Sequence, residues 1–111
     1  MRLWIDDVRP APEGYVWCKS VNEAKRCIQM SEALVLDNRI DGYPDGIDKL
    51  EYLDIDHDAG DFASDGGDYI RLLDWLEETS RNYPIRIHSA NAVGVENMRR
   101  IIQRNNWKEV F

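Results

Sequence analysis

Short apolar runs that stop at ionisable residues, separated by amphipathic stretches, set what this chain can fold into. RLWI runs into Asp6 and Asp7, the run from Leu50 into Asp56, His57 and Asp58, and IRI into His88 and Ser89. Runs of about 4–8 residues rich in Leu, Ile, Val and aromatics, bounded by Gly, Pro and Asp, read as strands. YVWCK and WKEVF are two more. Between them lie helical patterns. Ser20 and Glu23 form a capping box that opens a helix through Ala24, Cys27 and Ile28. DYIRLLDWLEETS places Ile70, Leu73 and Leu76 on one face, and VENMRRIIQRN gives a third helix. Strands alternating with helices predict an α/β fold: a flavodoxin-like, doubly wound parallel sheet of five strands in the order 2-1-3-4-5, with right-handed crossovers and helices on both faces.

With 111 residues the chain can fill one core and not two, so a single domain over residues 1–111 is expected. The segment 34–50 reads as an insertion: SEALVLDNRI extends the first helix or forms an extra strand, and DGYPDG is a loop. Cys18 and Cys27 fit buried free thiols better than a disulfide framework. The chain shows neither an apolar run of transmembrane length nor a charged, apolar leader, which predicts a soluble cytoplasmic protein with no membrane partner. The net charge of -7 argues against extended nucleic-acid binding, which is mostly phosphate neutralisation by Lys and Arg. Charge is unevenly spread: eleven acids against Arg39 and Lys49 between Asp37 and Asp68, six basic residues against Glu96 from Arg81 to Lys108. A small phosphate-bearing ligand fits between such halves.

The stretch LDIDHDAGD crowds Asp54, Asp56, Asp58 and Asp61 around His57 where a core strand ends. Such charges are costly to bury unless a cation, a proton or hydrogen-bond donors offset them. In an open parallel sheet the ligand crevice lies beyond the carboxyl ends of the strands, where the winding direction switches. In the order 2-1-3-4-5, strands one, three and four are neighbours about 4.8 Å apart. Asp6, Asp7, Asp56, His57, Asp58, His88 and Ser89 therefore converge at one rim. An EF-hand is excluded because the required Gly is displaced to Gly60 and the twelfth position is Asp65. Neither nucleotide-binding glycine fingerprint is present, so Gly66 and Gly67 read as loop.

WIDDVRPAP, LDIDHDAG, GGDYIRLLDWL and IRIHSANAVGVENM, in that order, resemble the cyclic-phosphate processing receiver domain, a relative of the receiver domains of bacterial two-component signalling. The resemblance implies the receiver's flavodoxin-like sheet and action on cyclic phosphates, such as 2',3'-cyclic phosphate ends of nucleotides or RNA. It places Asp6 and Asp7 at a receiver's acidic metal-binding pair, Asp56 near its phosphoacceptor and Ser89 at its hydroxyl position. A receiver carries a lysine at the end of its fifth strand; here Lys108 precedes Val110. That departure, with two histidines at the rim, argues against phosphotransfer signalling.

Opening a cyclic phosphate takes a base, an acid and charge or donors for the phosphoryl oxygens. His57 and His88 are expected as the acid/base pair, with Asp56 or Asp58 orienting an imidazole. Asp6, Asp7 and Asp58 are candidates for a divalent ion, Mg or Mn, or a transition metal if the histidines are ligands. Arg9, Ser89 and Asn91 are candidates for phosphate contact. The substrate expected is a small phosphate compound or an RNA terminus. Two other readings stay open: a noncatalytic phosphate-binding or signalling module, and a metal-dependent phosphatase in which Asp6, Asp7, His57, Asp58 and His88 are ligands.

Overall fold

A computed structural model of the protein describes residues 1–36 and 49–111. The strands are β1 (Arg2–Ile5), β2 (Tyr15–Cys18), β3 (Tyr52–Ile55) and β4 (Ile85–Ile87); the helices are α1 (Val21–Leu36), α2 (Ile70–Glu78) and α3 (Ala92–Arg104), with a 3-10 turn at Gly60–Ser64. All strand pairs are parallel, in the order β2-β1-β3-β4. The first helix thus runs to Leu36, and the rest of the expected insertion, residues 37–48, lies outside the described residues.

The caps follow the sequence closely. Ser20 Oγ accepts the Glu23 N–H at 3.1 Å, while the Glu23 carboxylate reaches one residue past the usual capping-box partner, to the Lys19 N–H at 3.2 Å. Asn91 caps α3 by accepting the Gly94 N–H at 2.9 Å.

Two expectations are corrected. The fifth strand is absent from the sheet: around Ile85 the chain forms one parallel bridge to Glu109, made by Ile85 N–H to Lys108 O (2.9 Å) and Val110 N–H to Ile85 O (2.7 Å). The tail comes level with β4 only at Lys108 to Val110, so one pair of backbone bonds forms where a ladder was expected. Lys108 consequently stands beside the first residue of β4, at the far end from the rim. Nor, among the described residues, do helices cover both faces. Val21, Ala24 and Ile28 of α1, Leu72, Leu73 and Leu76 of α2, and Met98, Ile101 and Ile102 of α3 all join one core with Leu3, Ile5, Cys18, Leu53, Ile55 and Ile85.

Those strand residues occupy alternate positions and so lie on one side of the pleat. Burying each such Leu or Ile contributes roughly 1.5–3 kcal/mol. The topology explains the one-sidedness. Crossovers from β2 to β3, β3 to β4 and β4 onward all move the same way across the sheet, so right-handedness puts their helices on one face. Only β1 to β2 moves the other way, and its connection DDVRPAPEG, interrupted by Pro10, Pro12 and Gly14, forms no helix. Among the described helices none is long and apolar enough to cross a membrane.

Candidate active site

The ladder continues one step past the strands and builds the rim. Asp6 N–H donates to Cys18 O at 3.2 Å, Asp56 N–H to Ile5 O at 2.9 Å and His88 N–H to Ile55 O at 2.9 Å. Carboxylate oxygens of Asp6, Asp7 and Asp56 lie within 4.8 Å of one another. Asp6 is fully buried. Its Oδ1 accepts the N–H groups of Val8 and Arg9 at 2.9 Å each, and its Oδ2 bonds His88 Nε2 at 2.9 Å. Burial is the largest single influence and pushes its pKa up, but these donors and the Arg9 guanidinium together hold it below the ordinary carboxylate value. Asp56 Oδ1 accepts the His57 N–H at 2.7 Å. Arg9 bridges the two acids, 3.4 Å from Asp6 Oδ2 and 3.5 Å from Asp56 Oδ2.

Asp7 behaves oppositely. Burial, reinforced by the carboxylates of Asp6 and Asp56, raises its pKa. The folded state therefore holds the proton more tightly than the unfolded chain. Stability from this group falls as pH climbs from 3.8 through the raised value, and the cost persists at neutral pH. Asp7→Asn is expected to raise the thermal midpoint of metal-free protein at pH 7. Mg or Mn should raise the midpoint of the wild type and leave the variant nearly unmoved. Calorimetry with and without each ion checks this, and an ion-insensitive wild type would remove the cation from the site.

The two histidines have different surroundings. His88, with a side chain 8% exposed, bonds Asp54 Oδ1 through Nδ1 at 2.6 Å and Asp6 Oδ2 through Nε2 at 2.9 Å. Each ring nitrogen thus meets the carboxylate of a buried aspartate. Trp4 stacks on it at 3.8 Å and 6°. Asp54, fully buried, also accepts Arg86 Nη1 at 3.0 Å. His57, twice as exposed at 16%, is anchored by Nδ1 to Asp58 Oδ1 at 2.8 Å, which lowers the Asp58 pKa. Asn91 Nδ2 is 3.3 Å from Asp58 Oδ2. With Nδ1 donating to Asp58, Nε2 is the acceptor nitrogen of the ring. Gly94 gives the ring its place: a Cβ there would lie 2.4 Å from His57 Cγ.

The structure thus brings Asp6, Asp7, Asp56 and Arg9 together and seats Asp58 with His57 and Asn91. Asp58 lies three residues past the end of β3 and Asp56 only one, so it is Asp56 that shares the acid cluster. Ser89 Oγ accepts the Asn91 N–H at 3.1 Å, within the turn that starts α3. Asp54, Trp4 and Arg86 were missed from the sequence as site residues. Their signal was period two: register aligns Trp4 with Asp54 and Asp54 with Arg86, a polar row through central strands. Tyr69 was missed too. It is buried, donates its hydroxyl to Lys19 O at 2.7 Å and its N–H to His57 O at 3.0 Å, and burial beside Asp7 pushes its pKa up.

Fold and site together are those of a receiver-like α/β domain with imidazoles added at the rim. The family model for the cyclic-phosphate processing receiver domain matches residues 1–104, and the chain belongs to that family. No curated protein and no solved structure matches the chain.

Proposed function

We propose that the protein is a phosphoesterase that opens cyclic phosphates, with 2',3'-cyclic phosphate of a nucleotide or RNA end as the substrate class. The observation that carries this reading is the convergence of Asp6, Asp7 and Asp56 at the rim, with His57 following directly: its backbone N–H bonds Asp56 Oδ1 at 2.7 Å and its Nδ1 is fixed by Asp58. His57 Nε2 takes the proton of the attacking water as the new P–O bond forms, the P–O bond to one ribose oxygen breaks, and that oxygen takes up a proton from solvent; Asp58 holds the ring in the tautomer that leaves Nε2 free to accept. Arg9, half-exposed between two acids, presents its outer donors to phosphoryl oxygens. Ser89 keeps an O–H and Asn91 an amide for the same purpose.

The all-carboxylate donor set fits a hard divalent ion such as Mg or Mn, held by Asp6, Asp7 and Asp56. Such an ion would supply positive charge to the phosphoryl and departing oxygens. The engagement of both His88 nitrogens by carboxylates disfavours a transition-metal site with that histidine as ligand, and favours a charge-holding role for it. The family membership supports the substrate class.

The test is incubation with a panel of 2',3'-cyclic nucleotides and cyclic-ended RNA, with and without Mg or Mn, following products by phosphorus NMR. Ion-dependent conversion to a phosphomonoester is expected. Saturable binding without conversion would make the protein a phosphate-binding module instead.

A further inference from the structure

Asp6, Asp56 and His88 form the last row of a pleat whose earlier rows lie on the face opposite the three helices. By register and period two, the row before it is Trp17, Trp4, Asp54 and Arg86, and the row before that is Tyr15, Arg2 and Tyr52. None of these residues belongs to the core cluster that the helices cover. Contacts confirm a continuous layer. Trp4 meets Tyr15 edge-on at 5.8 Å, Tyr15 meets Tyr52 at 6.1 Å, and the Arg2 guanidinium lies 5.6 Å and 5.8 Å from the two tyrosine rings. Lys19 Nζ sits 4.5 Å from the Trp17 ring.

We propose that this face, which no described helix covers, binds the terminal nucleotides of a single RNA strand, its bases stacking on Trp4, Trp17, Tyr15 and Tyr52 between Arg2, Lys19 and Arg86. The residue types select the occupant. A packing helix calls for aliphatic side chains, which line the other face, whereas planar rings and guanidinium groups suit bases and phosphates. Arg2 pairs with Glu51 at 3.1 Å and Arg86 with buried Asp54 at 3.0 Å, and the two side chains stay 44% and 42% exposed. Each pairing uses one of a guanidinium's five N–H donors as its closest contact, so this face still offers donors to phosphate oxygens. Three strand spacings of about 4.8 Å make it roughly 14 Å wide, room for more than one base. Trp4 joins the face to the rim through its stack on His88. RNA is specified because a 2',3'-cyclic phosphate exists only on ribose; in that respect the inference rests on the function proposed above. Ring contacts dominate over phosphate contacts, which reconciles this binding with the acidic chain.

The test is anisotropy of a fluorescein-labelled short oligouridylate ending in a 3'-hydroxyl, titrated with the full chain. Saturable binding with shallow salt dependence is expected, weakened about tenfold by Tyr52→Ala and by Tyr15→Ala and retained by Tyr52→Phe. Gln103→Ala, exposed on α3, should bind as wild type. Circular dichroism establishes that each variant is folded. Absence of saturable binding overturns the proposal, as does unchanged affinity in folded alanine variants. Self-association of the wild type that either alanine variant abolishes also overturns it, since a second copy would then be the occupant. The 3'-hydroxyl separates this result from hydrolysis: RNA binding with no cyclic-phosphate turnover keeps the stacking face and sinks the hydrolase, and turnover of cyclic nucleotides with no RNA binding does the reverse.

Discussion

His57→Ala is expected to lower hydrolysis of a cyclic phosphate by about 10²-fold or more while leaving the fold and the affinity for an unreacted phosphate ligand nearly unchanged. His57 is the more exposed of the two histidines, and its anchored Nδ1 leaves Nε2 as the nitrogen for the proposed proton transfer. The ring packs on Gly94 and bonds Asp58, outside the apolar core, so the loss should appear in kcat. A second variant reaches the same ring from outside. Gly94→Ala improves helix propensity by up to about 1 kcal/mol, yet its Cβ would collide with His57 Cγ and Cδ2 at 2.4 and 2.5 Å. The imidazole must move, and activity should fall although α3 itself is favoured. Turnover measured beside thermal midpoints for both variants checks this. Wild-type kcat in His57→Ala would eliminate the mechanism.

His88→Ala is expected to act on stability first, by about 3 kcal/mol or more, because it strands two fully buried carboxylates. Asp54 would keep Arg86, and Asp6 would keep Arg9 and two backbone donors, but each loses a short imidazole bond. Trp4 loses its stacking partner as well. The pH dependence follows from signs. In the wild type the lowered Asp6 pKa contributes stability that is present above 3.8 and lost as pH falls through the depressed value. Without His88, Asp6 loses one of the donors that hold its pKa down, so the variant's deficit should be larger at pH 7 than at about pH 3. Adding Asp54→Asn should recover part of the loss, giving a double variant less impaired than the two single effects combined. Urea unfolding of the four proteins at both pH values checks this. A His88→Ala protein of wild-type stability that has lost only turnover would return His88 to the acid/base pair.

The two families of effect separate because the histidines, alike in following a strand run, meet different partners in space. Both come directly after apolar strand patterns, which is why they read as equivalent. His57 takes a partner one residue away, in Asp58. His88 takes partners 34 and 82 residues away, in Asp54 and Asp6. A local pattern can announce the first contact and is silent about the second.

What the sequence determined by itself is the succession of elements and their ends. Apolar runs must stop where Asp6, Asp56 and His88 appear, and Ser20 with Glu23 opens a helix at the expected place, since periodicity and capping are local properties. The missing helix between β1 and β2 is also local, written in Pro10, Pro12 and Gly14. Tertiary structure alone decided how those pieces share charge. It put Asp56 with Asp6 and Asp7, enclosed His88 between Asp54 and Asp6, and gathered all three helices on one face, leaving Trp4, Tyr15 and Tyr52 on the other. Each of these depends on strand order, register and crossover hand, which bring together residues far apart in the chain; one residue of slip would turn Asp54 from the polar face into the core.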